Sequence, residues 1–220
     1  MTGTVRKIRR AVAEQIRTRG LVSTAVMNGV HLAGIVRAMF YRALYAGRLR
    51  GSLFAMQGGS SIELFSRASK VSVGKFVFIR KNASIRVDGG ELSIGEKAFI
   101  NDNCVINCAY RITIGAYAKI APNVCINDHD HNYRQDGGPH LLTGEVTIGR
   151  NVWIGANAVV LRGSCIGDNA VIAAGSVVNG IVPPDTVYLN RIEKRFIRYG
   201  EAVGAAAEET AATAGAGGLR

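Results

Sequence analysis

VTIGRNVWIGANAVVLRGSCIGDNAVIAAGSVV, residues 146–178, decides the fold. Ile148, Ile154, Val160, Ile166, Ile172 and Val178 stand six residues apart within it. The same meter beats earlier in the chain at Val73, Ile79 and Ile85, at Ile94, Ile100 and Ile106, and at Ile114, Ile120 and Ile126. Glycine often follows the aliphatic residue, as at Gly74, Gly95, Gly115, Gly149, Gly155 and Gly167. Four residues after the aliphatic comes something small or β-branched, such as Ala83, Ala118, Val152 or Ser164; Cys104 fills one such slot and reads as a small apolar filler. A six-residue unit of this kind is one short strand plus a corner. Three units close one triangular coil, whose aliphatic residues stack on their counterparts a coil away. The glycines are expected to support the corner backbone. A bundle or an α/β sheet would leave the meter unexplained.

Outward from the repeat, the composition changes. Residues 1–50 read as a basic helical extension, 51–200 as the repeat domain and 201–220 as an Ala/Gly-rich disordered tail. The chain's formal charge is +11, and the first segment holds most of it: ten basic side chains against one acid, Glu14. The rest is close to balanced, so composition offers no basic face for nucleic acid. In residues 5–19, Val5, Ile8, Val12 and Ile16 recur at helical spacing among arginines, and Gly20 is a plausible stop. Residues 21–49 are apolar but contain Asn28, His31, Arg37 and Arg42, which disfavours a spanning helix. The two readings left open are a helix packed on the repeat domain and one lying on an anionic membrane surface. Cys104, Cys108, Cys125 and Cys165 show no CxxC spacing and no secretory signal precedes them, so reduced thiols in the cytoplasm are expected.

The meter stops once for a long stretch. From Ile126 the next regular aliphatic is Ile148, and the interval INDHDHNYRQDGGPHLL (126–142) holds His129, His131 and His140. With Gly137, Gly138 and Pro139 it reads as a loop leaving the coil, and loops on a rigid scaffold are where chemistry is usually carried. A histidine can take the proton from a hydroxyl as the oxygen attacks a carbonyl. Counting forward from Ile126 favours His131 and counting back from Trp153 favours His129, so both stand as candidates. Asp128 and Asp130 are potential orienters or loop-capping residues.

IGAYAKIAPNVCI (114–126) and the opening stretch resemble the hexapeptide-repeat acyltransferases, in particular the maltose, galactoside and polysaccharide O-acetyltransferases. The resemblance covers about residues 70–197 and implies a left-handed parallel β-helix assembled as a homotrimer. It further implies an O-acetyltransferase that uses acetyl-CoA and a saccharide acceptor, with a histidine base and no resident metal. On this resemblance Trp153, the chain's one tryptophan, borders an acyl-donor channel along Gly155, Ala156, Ala174 and Asn179. Lys194 and Arg195 are the candidates for coenzyme A phosphates. The small residues among these equally suit tight coil packing. Asn101, Asn103 and Asn107 match positions that hold the acceptor, with left-handed corner turns as the competing reading. The sequence departs from the family at Asn179-Gly180 and at YLNRIEK (188–194) and keeps Pro183-Pro184. Two rival readings are a membrane-associated trimeric scaffold without activity, and a zinc enzyme of γ-carbonic-anhydrase type built on the three histidines.

Overall fold

The computed structural model describes residues 3–51, 53–133 and 137–190. Two helices, α1 (Gly3–Arg19) and α2 (Leu21–Leu44), precede a run of short strands. The first coil is β1 (Leu49–Gly51), β2 (Ala55–Met56) and β3 (Ser61–Leu64). The second is β4 (Lys70–Val73), β5 (Phe78–Ile79) and β6 (Ser84–Val87), and the third β7 (Glu91–Ile94), β8 (Phe99–Ile100) and β9 (Val105–Cys108). The fourth coil, β10 (Arg111–Ile114), β11 (Lys119–Ile120) and β12 (Cys125–Asn127), leads into a hairpin, β13 (His129–His131) and β14 (Leu141–Thr143). Two more coils follow, β15 (Val146–Ile148), β16 (Trp153–Ile154), β17 (Val159–Val160), then β18 (Cys165–Ile166), β19 (Val171–Ile172), β20 (Val177–Val178). The strands β21 (Ile181–Val182) and β22 (Val187–Tyr188) begin another.

Every third strand pairs in parallel, which gives a prism of three faces, ordered β1-β4-β7-β10-β15-β18-β21, β2-β5-β8-β11-β16-β19-β22 and β20-β17-β12-β9-β6-β3. The metric aliphatics point inward and stack in register. On the β3 face the column is Ile62, Ile85, Ile106, Ile126, Val160 and Val178. These side chains are buried almost completely, and each contributes about 2 kcal/mol over an exposed position. The first coil keeps the meter only from Met56 to Ile62, with Gly51 opposite Val73, yet pairs like the rest, so the prism begins near Leu49, ahead of the segment that carries the family resemblance.

The glycines do a different job from the expected one. The left-handed corner residue lies three positions after the aliphatic: Asn82, Asn103, Asn123, Asn151, Asn157 and Asn169 all have φ between 54° and 60°. Asparagine tolerates that conformation because its short amide bonds locally, and here successive asparagines bond across coils, as Asn82 Nδ2 to Asn103 Oδ1 at 3.2 Å. The glycine directly after the aliphatic instead sits where coils touch. A Cβ on Gly95 would lie 2.8 Å from Ala116 Cα.

α2 covers the prism's starting end. Gln57 N–H donates to Ile79 O of the following coil, and the register partner of Ile79 in the first coil, Met56, turns its carbonyl toward α2. A Cβ on Gly34 would stand 3.1 Å from Met56 O. The buried residues of α2 are all small: Thr24, Gly34 and Ala38. Tyr41 and Tyr45 pack beside them. α1 folds against α2, with Asn28 Nδ2 donating to Gln15 Oε1 at 3.1 Å, and buries no residue of its own. His31 stacks on Phe78, ring centroids 5.4 Å apart.

Candidate active site

The site begins where β12 ends. Asp128 follows the inward Ile126 by two residues, and its side chain turns back into the corner with no exposed surface. A buried carboxylate needs donors. Ala109 N–H and Tyr110 N–H supply them, each at 2.8 Å, one to Oδ1 and one to Oδ2. His129 Nδ1 lies 2.8 Å from Oδ1 of the same carboxylate. With both oxygens accepting from amides, the imidazole is the donor, and its Nδ1 carries the proton. Nε2 is then left with a lone pair. One side chain thus ties the coil corner at 109–110 to the ring of His129.

The hairpin holds the next residues. β13 and β14 pair antiparallel, His129 opposite Thr143 and His131 opposite Leu141. Gly144 N–H closes the excursion on Asp128 O at 2.8 Å. Asp130 pairs with Arg162 Nε at 2.7 Å across to the following coil, so it is committed away from His131. His131 meets His140 edge-on, ring centroids 5.1 Å apart. All three histidines line one pocket, together with Phe65, Arg86, Asp88 and Asn107.

Asn107 is the one of the three candidate asparagines that joins this pocket. It donates from Nδ2 to Asn127 Oδ1 at 2.8 Å. Asn103 is a left-handed corner in the asparagine ladder, and Asn101 Oδ1 accepts the N–H of Asp102. Sequence reasoning missed Phe65, Arg86 and Asp88. A signal for Arg86 was present: Glu63, Arg86, Asn107 and Asn127 form an outward column in register, each directly after an inward aliphatic. Arg86 meets Glu63 at 3.5 Å.

Cys108 borders the pocket behind His129 and is buried. Burial, then the charge of Asp128, pushes its thiol well above the ordinary thiol range. It is therefore held neutral, which makes it a poor nucleophile. Among the described residues no group of three or more potential ligands is arranged to hold a metal, and His129 spends one ring nitrogen on Asp128.

Trp153 lies elsewhere on the chain, half exposed on the outer surface of the β2 face between Lys119 and Val171. It does not line the histidine pocket. Two residues on, Gly155 is buried: a Cβ there would meet Ala174 N at 2.5 Å, so glycine is demanded by coil packing. The N–H of Gly155 donates to Ile172 O, and Ala156 O accepts from Gly175 N–H. Ala174 and Asn179 are exposed. Lys194, Arg195 and the tail from 201 lie outside the described residues.

Comparison with known proteins agrees with this architecture. Residues 145–180 match the bacterial transferase hexapeptide model, described as six repeats. Galactoside O-acetyltransferase of Escherichia coli strain K12 is 41% identical over 103 residues, 45% of this chain and 50% of that protein. The chain thus spans about half the length of that relative. A putative acetyltransferase of Schizosaccharomyces pombe is 30% identical over 148 residues, 64% of this chain and 72% of that protein. Among solved structures, an N-acyltransferase from Bacillus cereus in complex with dTDP and 3-hydroxybutyryl-CoA superposes with a TM-score of 0.59 at 16% identity. The match covers 80% of this chain and 96% of that one, a likeness of fold.

Proposed function

The chain belongs to the hexapeptide-repeat acyltransferases, and on that premise we propose that it is an O-acetyltransferase moving an acetyl group from acetyl-CoA to a hydroxyl of a sugar or saccharide precursor. The observation that carries this reading is the Asp128–His129 couple, with His129 set in a pocket of hydroxyl-binding side chains. His129 is the base. Its Nε2 takes the acceptor's proton as the hydroxyl oxygen attacks the thioester carbonyl, and returns it to the departing thiolate. Asp128 fixes the tautomer and offsets the charge of the transient imidazolium. Attack is direct, because the nearby thiol, Cys108, is held neutral. Asn107, Asp88 and Arg86 are the polar partners for acceptor hydroxyls, and the exposed ring of Phe65 offers a flat apolar surface to a pyranose.

The donor arm suits the strip beside Trp153, where Ala156 and the exposed Ala174 are small. Acetyl-CoA supplies the thioester; the chain's own residues orient it and handle the proton. Trp153 and the histidine pocket do not share a cavity within one chain. A trimer resolves this. The β1 face is polar outside, with Lys70, Glu91, Arg111 and Thr113, whereas Phe78, Phe99, Trp153 and Val171 run down the outside of the β2 face. Packing a β2 face of one copy against a β3 face of the next would bring tryptophan and histidine to one seam. The cytoplasm, where acyl-CoA and unpaired thiols coexist, is the compartment that fits the four free cysteines.

The test is thiol release from acetyl-CoA against a panel of saccharides, with wild type, His129→Ala and His131→Ala. Turnover should fall by 10²-fold or more, about the range for losing a general base, in His129→Ala and far less in His131→Ala. Coenzyme A binding by calorimetry should be unchanged in both. No thiol release with any saccharide, together with no coenzyme A binding, would leave the chain a scaffold; near-normal turnover in His129→Ala would move the base elsewhere.

A further inference from the structure

The second helix is amphipathic in the wrong sense for a water-soluble cap. Its buried residues are small, Thr24, Gly34 and Ala38, with Gly34 and Ala38 against the prism. Most of its large apolar side chains are nevertheless exposed, and Val30, Val36 and Phe40 line a groove with Met56, Gln57 and Lys81 of the prism. Val22, Val26 and Val30, then Val36, Phe40 and Leu44, lie within a third of the helix circumference, and every one is exposed, Val22 at 76% and Phe40 at 62%. Leu21, Leu32 and Met39 widen the stripe. Scattered apolar residues need no partner, but a continuous apolar ridge along a helix about 36 Å long does.

Charge identifies the partner. α1, folded against α2, presents Arg6, Lys7, Arg9 and Arg10, all exposed, and no acid in its first turn. Its one acidic residue, Glu14, pairs with Arg17. Arg37 stands within the ridge itself, and Lys81 of the prism lies in the groove beside Val30, Val36 and Phe40. An exposed apolar stripe that carries Arg37, on a helix preceded by a basic one, matches the boundary layer of an anionic bilayer, where acyl chains meet phosphate headgroups. A second copy of this chain would bring like charges together and gains nothing from them.

α2 is long and apolar enough, by length and composition, to cross a membrane. It cannot do so while docked. One side of the helix touches β2 backbone at Gly34 and buries Ala38 in the prism core, and a spanning helix must meet lipid or protein all round. We infer that the exposed apolar face of α2, together with the cations of α1, docks the folded protein in the plane of an anionic membrane surface. The inference does not depend on the acetyl-transfer reading.

The experiment is co-sedimentation of the full chain with phosphatidylcholine vesicles, with and without phosphatidylglycerol. The variants are Val26→Asp/Phe40→Asp on the ridge and Arg9→Glu/Arg10→Glu on α1. Circular dichroism and sedimentation velocity without lipid run alongside each. Partitioning of the wild type should be at least about tenfold stronger with phosphatidylglycerol, and weakened by salt. Both double variants should lose most of it while keeping spectrum and oligomeric state. Wild-type indifference to lipid charge, or undiminished binding by a folded Val26→Asp/Phe40→Asp, overturns the inference. So does a change of oligomeric state in that variant, which would make the ridge a contact between copies. Resistance of the vesicle-bound wild type to alkaline carbonate would show a spanning helix and overturn it as well.

Discussion

Asp128 is a small residue with three attachments, and the chemistry of its neighbours follows from them. Its carboxylate orients His129, holds the 109–110 corner and lies close enough to Cys108 to oppose thiolate formation. The thiols of Cys104 and Cys108 are both raised above their ordinary value of 9.0, chiefly by burial. The sign of the linkage is set by this. Between 9.0 and the raised folded values the unfolded chain has lost protons that the folded chain keeps, so folding stability falls as pH rises through that window. Below it the contribution is fully present. The double variant Cys104→Ala/Cys108→Ala should therefore lose less stability than wild type on going from neutral to strongly alkaline pH, as read by denaturant unfolding. Parallel alkaline slopes for the two proteins would contradict the raised thiols.

The coil is the element at which glycine and asparagine acquire meaning. Gly155 touches the backbone of the next coil at Ala174 and Ile172, and neither can move without shifting a strand. Gly155→Ala should cost about 1–3 kcal/mol, the range of overpacking in a tight interior. Thermal unfolding would report it. Ala174→Ser, at an exposed position, should change stability by no more than about 0.5 kcal/mol. If Gly155→Ala instead keeps wild-type stability and raises the Michaelis constant for acetyl-CoA, the residue serves the donor rather than the packing. The hairpin β13–β14 is the one antiparallel pair among the described strands, and it lifts the site residues off the prism without breaking the column that continues from Ile126 to Val160.

At the scale of the molecule, the outer surfaces of the β2 and β3 faces require assembly for the proposed site to be complete. Sedimentation at micromolar concentration should report a trimer, and an active monomer would exclude a site shared between copies. The prism itself was legible in the sequence, because a stacked coil forces the same side-chain type to recur at a fixed interval along the chain. Ile148, Ile154 and Val160 carry that signal with no help from any distant residue. The break before His129 was legible for the same reason, as the interval where the interval failed. The first coil was only partly so: Met56 and Ile62 are six apart, but Gly51 stands opposite Val73 and five residues before Met56, so the meter does not complete a coil there. Counting along the chain favoured His131 from one side and His129 from the other, with the balance slightly to His129. Tertiary structure separated them, since only the folding of one coil over another brings Ala109 and Tyr110 N–H to Asp128 and so a buried carboxylate to one imidazole. The same holds for α2. Its apolar residues are evident in sequence, but which of them face water depends on Gly34 and Ala38 letting the helix lie close against the prism. Periodicity is a local property that a chain displays unaided; orientation toward a partner is a long-range one that exists only once the coils are stacked.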